Sequence, residues 1–313
     1  QGSLGEGMGA LQWTRFMQVA PELHPFTLRL GVVFALIGYG TKAGLAPMHT
    51  WKPDAYREAP SPAVVLMAVG MLNGALYCIL RIHLISKASL GPEFSEGLLL
   101  TLGLLSVLIA TPFVLIQWNI KRLLAYSSIE HVGIMAIGVG LGAQAAVFGA
   151  LLHMTYHSLA KPVALFSAGT LAQLHSSSNF DRIGQGTFTR APVTSALFVL
   201  ATVIITGSPP FGLFFSEILI LRAGFLGSHP TATAVLLAAL IVLFCGFAYQ
   251  VGHLVLGPPR DPADRRVPQP ERFDIGMATA IAVAVIAVVS AFYLPAPLMA
   301  LIRAATQVVW GGG

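Results

Sequence analysis

Apolar residues run in blocks close to twenty long, with polar residues gathered between them. Blocks at 98–117, 231–256 and 275–294 each match the roughly 20 residues of helix needed to cross a hydrocarbon core about 30 Å thick. The pattern predicts a lead-in at 1–27 with a short amphipathic helix near 8–20. Spans follow at about 27–56, 62–85, 98–117, 120–142, 144–174, 191–225, 231–256 and 273–294, and an apolar tail at 296–310 suits a half-span or an interfacial helix. Asn119 is placed to N-cap the fourth span.

Two spans do not read as straight helices. The first carries Gly38, Gly40, Lys42, Gly44 and Pro47, too many breakers for one unbroken rod. The sixth would be about 53 Å long at 1.5 Å per residue, and Gly207-Ser208-Pro209-Pro210 interrupts it near the middle. It reads as one broken helix crossing once, with two crossings as the alternative. The single crossing puts Lys52, Arg57, Lys121, Arg122, Arg182, Arg190, Arg260, Arg265, Arg266 and Arg272 on one side. Only Arg15, Arg29, Arg81, Lys87, Arg222 and Arg303 fall on the other. The excess of Lys and Arg makes the first side, with loops 182–190 and 260–272, the cytoplasmic one. A double crossing would erase that bias.

Composition narrows the class. Of 313 residues 55% are hydrophobic and 10% charged, with mean hydropathy +0.76, where soluble chains carry about 25% charge. A soluble enzyme, a disordered chain and a nucleic-acid module are excluded, and the net charge of +5 reports topology. The fold class is an all-α polytopic membrane protein in a lipid bilayer, placed in the inner (cell) membrane. Cys78 and Cys245 lie in separate apolar spans, with no CxxC pair or His/Cys spacing. Neither phosphate-binding loop motif occurs, nor do hydrolytic carboxylate pairs or a nucleophilic triad. No metal, no cofactor and no catalytic centre are expected. The chain starts at Gln1 with no n-region or h-region before the first span and reads as the C-terminal part of something longer.

Ionisable residues inside the spans are the candidate chemistry, because each costs roughly 2.5–3.5 kcal/mol or more at the bilayer centre. Lys42 sits at the first break and Glu217 follows the second, where broken helices expose unpaired backbone groups and helix-end dipoles. His153, His157 and Lys161 recur at i, i+4 and i+8, which stacks them on one helical face about 6 Å apart. That spacing suits water-bridged proton hops, and histidine titrates near neutrality. Satisfied core histidines are the bland reading. A two-histidine metal site lacks a third ligand nearby in sequence. Glu130 and His131, being adjacent, point about 100° apart and are not expected to line one narrow path. Lone Asn73 is either interhelical glue or a link for water. Asp54 and Glu58, beside Lys52 and Arg57, read as an ion-pair cluster at the membrane surface.

These residues resemble a known family. Gly40 to Ala55 (GTKAGLAPMHTWKPDA) with Glu58-Ala59-Pro60-Ser61-Pro62, then Ile120 to Ser128 (IKRLLAYSS), then His153-x3-His157-x3-Lys161, then Pro209-Pro210-Phe211-Gly212-x-Phe214-x-Ser216-Glu217 resemble, in order, the motifs of the antiporter-like proton-translocating membrane subunits. Such subunits occur in respiratory complex I, the Mrp cation/proton antiporters and the group 4 hydrogenases. Ser128 to His131, Leu72-Asn73 and Gly207 to Pro210 look most like component F of hydrogenase-4. The resemblance implies inverted five-helix repeats, each with one broken helix and the first incomplete here: 28–90 ending the first repeat, 91–257 forming the second around a broken helix at 191–226, and 258–313 adding a loop and extra helices. It implies that Lys42 is the central lysine of one half-channel, that His153, His157 and Lys161 are the relay, and that Glu217 is the terminal carrier, with Glu130, His131 and Asn73 beside them and Gly44, Pro47, Pro209 and Pro210 at the helix breaks. It implies a non-catalytic pumping subunit, partnered by other membrane-arm subunits and a peripheral redox module, with no nucleic acid. A Na⁺/H⁺ antiporter subunit and a non-conducting scaffold are the alternatives.

Overall fold

In the computed structural model, residues 13–184, 186–257, 271 and 273–311 are described, and among them every regular element is helical. The predicted stretch 8–12 and the arginines at 260, 265, 266 and 272 lie outside the described residues. Helix α1 (Trp13–Val19) gives way to a 3₁₀ turn at Ala20–Glu22. Helix α2 (Pro25–Ala43) opens on a proline at its first turn, where the missing N–H costs nothing. It stops at Gly44, whose φ of +89° is open to glycine. Helix α3 (Trp51–Glu58) resumes after a seven-residue link that contains Pro47. The side chain Nε1 of Trp51 donates to the Thr41 carbonyl at 2.7 Å, so part of the α2 C-terminus is capped from α3.

Helix α4 (Ser61–Leu90) contains a π-helical turn at Leu66–Met71. Helix α5 (Pro92–Leu115) starts six residues earlier than the apolar block, because Pro92 and Glu93 suit a first turn although they read as loop. Helix α6 (Ile120–Gly140) is capped by Asn119, whose side-chain oxygen accepts from the backbone N–H groups of Lys121 and Arg122 at 3.1 Å. Helix α7 (Gln144–Leu174) has the predicted bounds. Helices α8 (Pro192–Ile205) and α9 (Gly212–Leu226), separated at 206–211, are 14 and 15 residues long, each too short for a 30 Å core. Gly207 between them has φ +64°. Glu271 accepts from the backbone N–H of Thr194 at 2.7 Å, putting a carboxylate at the N-terminus of α8. Helices α10 (Pro230–Leu256), α11 (Ile275–Phe292) and α12 (Ala296–Gly311) complete the described chain.

Among the described residues five helices, α4, α5, α6, α10 and α11, are individually long and apolar enough to cross a membrane. Helix α7 carries the candidate polar residues, α2 is stopped at Gly44, and α8 and α9 are apolar but only 14 and 15 residues long, so each falls outside that set through the same features that mark it out. Helix α6 is buried along the whole of its apolar window. It is held closely against α5: a Cβ on Gly103 would meet the Gly133 carbonyl at 2.7 Å, and one on Gly140 would meet Leu100 N at 2.5 Å. Small residues permit this backbone approach, the usual basis of helix packing in lipid. Outward-facing Phe26, Phe34, Leu226, Ile275 and Phe292 are largely exposed, as a lipid-facing surface requires. Helix α7 packs against α6 on one side and α8, α9 and α11 on others, which places its histidine face in the middle of the bundle.

Candidate functional site: a buried polar seam

Glu130 and His131 come from α6, His153, His157 and Lys161 from α7, and Ser216 and Glu217 from α9; all are buried. His131 Nδ1 lies 2.9 Å from His153 Nε2, and His153 Nδ1 lies 2.9 Å from Ser216 Oγ. The Ser216 hydroxyl donates to the Leu213 carbonyl at 2.7 Å. Its proton being so engaged, the oxygen accepts from His153, which fixes the proton of His153 on Nδ1 and leaves Nε2 to accept from His131. The three bonds therefore share one polarity, His131 to His153 to Ser216 to the α9 backbone. His131 Nε2 at the head of this chain has no hydrogen-bond partner.

His157 extends the seam. Its ring centroid is 5.1 Å from that of His131, and neither of its ring nitrogens is hydrogen-bonded. One turn further, Lys161 Nζ donates to the Leu124 carbonyl at 2.9 Å, and Glu130 lies within Coulombic reach of both Lys161 and Glu217. Pro162 follows Lys161 inside α7 and removes one backbone donor from that turn. Glu217 occupies a pocket made by a missing side chain: a Cβ on Gly207 would lie 2.2 Å from Glu217 Oε2. The second helix break is thus where the carboxylate is received.

Of the predicted site residues, the fold brings Glu130, His131, His153, His157, Lys161 and Glu217 together. Adjacent Glu130 and His131 point about 100° apart, and because α6 is buried on all sides both meet polar neighbours, Glu130 on the side of Lys161 and Glu217 and His131 on that of His153 and His157. Asn73 is half-buried at the edge, where its Nδ2 donates to Ser158 Oγ on α7 at 2.7 Å. Lys42 is exposed on α2 and joins no part of this group. The lysine that turns inward at the first break is Lys52, fully buried, with Nζ donating to the Ala43 carbonyl at 2.7 Å. The surface cluster assigned to Lys52 is corrected accordingly: Asp54 pairs with Arg122 at 3.0 Å and Arg57 with Glu58 at 3.3 Å. Lys52 sits on the opposite flank of the short helix α3 and escapes water.

The missing third ligand is also supplied in space. Ligand atoms of His131, His153 and Glu217 lie within 4.8 Å of one another. Both ring nitrogens of His153 are already hydrogen-bonded, to His131 and to Ser216, so a cation held by these three residues would have to displace one of those two bonds. Ser216 joins this group although the helical spacing did not single it out; the sequence marked it only as part of the motif that ends at Glu217.

Residues 8–242 match the family described as NADH:quinone oxidoreductase/Mrp antiporter, TM. The chain is 38% identical over 258 residues to the hydrogenase-4 component F homolog of Methylacidiphilum infernorum, an alignment covering 82% of this chain and 54% of that protein. Its fold is similar to that of a chain in the membrane-bound sulfane sulfur reductase, an archaeal respiratory membrane complex, with TM-score 0.84, 25% identity, and coverage of 97% of this chain and 60% of that one. A chain of respiratory complex I from Thermus thermophilus matches with TM-score 0.61 and 26% identity, over 90% of this chain and 58% of that one. The chain spans about half the length of the curated relative it matches.

Proposed function

This chain belongs to the NADH:quinone oxidoreductase/Mrp antiporter transmembrane family, and from that premise we propose that it forms part of a proton-translocating membrane subunit of a redox-driven respiratory complex, of the group 4 hydrogenase kind. The observation that carries this reading is the single buried group formed by Glu130, His131, His153, His157, Lys161 and Glu217 inside an apolar bundle. Six ionisable side chains at such depth have no packing rationale, since buried charge is costly and small apolar residues would fill the same space.

The proposed route runs along α7. Lys161, within Coulombic reach of Glu130, exchanges a proton with His157, and the His131–His153–Ser216 chain carries it toward Glu217 under the second break. Lys42, exposed on the flank of the first break, is assigned to the outer end of the route, and Asn73 to its polar edge. Two unit charges about 7 Å apart at an effective dielectric of about 20 interact by about 2.4 kcal/mol. Charging one site therefore biases its neighbour about fifty-fold, enough to pass a proton along when a partner module alters one member of the series. The driving reaction belongs to that peripheral redox module and the route to the membrane arm, with neighbouring membrane subunits completing it. The stretch 28–90 is assigned to the end of a first repeat, 91–257 to a second and 258–313 to additional helices, with loops 182–190 and 260–272 on the cytoplasmic side of the inner membrane.

The test is proton uptake by vesicles containing the whole complex. Glu217→Gln and Lys161→Gln are expected to abolish redox-driven uptake with assembly intact, and wild-type uptake in both would overturn the reading. Uptake that requires Na⁺ and moves it in exchange would instead support an Mrp-type antiporter.

A further inference from the structure

The first helix break holds a lysine that the route above does not use. Lys52, the second residue of α3, is fully buried, and among the described residues no carboxylate pairs with it. Its ammonium donates to the Ala43 carbonyl at the end of α2 and lies 5.9 Å from the centroid of the buried Tyr56 ring. Space for it exists because residue 44 is glycine: a Cβ there would lie 2.7 Å from Lys52 Cδ and 2.8 Å from Nζ. Lys52 is also within Coulombic reach of His131, His157 and Lys161, so it borders the seam from the side of the first break.

Capping alone does not explain a lysine at this position. The neighbouring Thr41 carbonyl is satisfied by the neutral indole N–H of Trp51, and a helix C-terminus returns at most about 2 kcal/mol to a cation, less than a desolvated charge costs. The second break repeats the arrangement with the opposite charge. There Gly207, also in the left-handed region at φ +64°, lacks the Cβ that would occupy the place of the Glu217 carboxylate. Each break thus pairs a left-handed glycine with a buried ionisable side chain from the helix that follows, Gly44 with Lys52 and Gly207 with Glu217.

We infer that Lys52 is the proton-carrying group at the first break, a site additional to those of the route proposed above. The inference rests on that proton-translocating reading. In the step assigned to it, the Lys52 ammonium releases one proton to the unprotonated ring nitrogen of neutral His157, directly or through water, leaving a neutral amine and an imidazolium. The amine then takes a proton from water-borne hydronium on the other side. No electrons move.

The experiment compares variants of the whole complex in vesicles. Lys52→Gln keeps an N–H donor for the Ala43 carbonyl but has no exchangeable charge, and Lys52→Arg keeps both cap and charge but holds its proton at all working pH. Each is expected to lower redox-driven proton uptake at least tenfold with assembly and melting temperature unchanged. Wild-type uptake in either variant overturns the inference, and failure of both to assemble assigns Lys52 to structure and overturns it equally. Lys161→Gln, measured alongside, separates the two levels. Uptake lost in Lys161→Gln but kept in the Lys52 variants sinks this inference alone, whereas uptake kept in all three sinks the proton reading itself.

Discussion

Gly207→Ala isolates the link between the second helix break and Glu217. At φ +64° an added Cβ costs about 1–2 kcal/mol of backbone strain. The new methyl would also lie 2.2 Å from Glu217 Oε2, where ordinary contact begins at 3.4 Å, so the carboxylate must retreat by about 1.2 Å. A carboxylate at the end of a flexible side chain can make that move without unfolding its helix, so the complex should assemble. Its proton-exchange geometry should not survive, because a displacement near 1 Å in a reacting group costs about 100-fold. The expected result is a fall of about 10- to 100-fold in redox-driven proton uptake by reconstituted vesicles. Gly91→Ala supplies the control, since Gly91 also has positive φ, +80°, but a Cβ there meets no atom within 4 Å. At φ +80°, ψ 167° it is strained for alanine at least as much and displaces nothing. Uptake that falls equally in Gly91→Ala and Gly207→Ala, or in neither, would refute the idea that the break exists to receive Glu217.

Three further substitutions probe other levels. Gly133→Ala sets a Cβ 2.8 Å from the Gly103 carbonyl and should cost about 1–3 kcal/mol by forcing α5 and α6 apart, read as a lower melting temperature of the solubilised complex; Gly97→Ala, with open space around it, should not. Ser216→Ala leaves the buried His153 Nδ1–H without an acceptor, a loss of about 1–3 kcal/mol, and should slow proton uptake about tenfold because the chain of aligned bonds ends one member early. Asn119→Ala removes the cap of α6 and should lower stability by about 1 kcal/mol, with uptake per assembled complex unchanged.

Both helix breaks were legible because Gly and Pro act locally: Gly44, Pro47, Gly207, Pro209 and Pro210 constrain the backbone wherever the chain goes. The α7 face was legible for a similar reason, since i, i+4 and i+8 on a helix share a side whatever packs there. The burial of Lys52 beside an exposed Lys42 was not. In a broken segment no helical period says which lysine turns inward, and Lys52 stands among Asp54, Arg57 and Glu58, which do face outward. What decides is a contact across nine residues, between Nζ and the free Ala43 carbonyl, and the absence of a Cβ at Gly44. That both Glu130 and His131 would meet polar neighbours was not legible either, because the two point about 100° apart and only a helix buried all round, as α6 is, gives both directions a partner. The Ser216 link likewise required α9 to be laid against α7, where Gly149 lets the two backbones approach: its Cβ would meet the Ser216 carbonyl at 3.0 Å.

The central claim is that the buried seam around α7 conducts protons. It is tested most directly by driving the complete complex, reconstituted in sealed vesicles, with its electron donor and following internal acidification in wild type and Lys161→Gln. The account predicts that the variant assembles and melts as wild type does while acidification falls to the uncoupled background. Acidification at the wild-type rate from a complex lacking the Lys161 amine would contradict it.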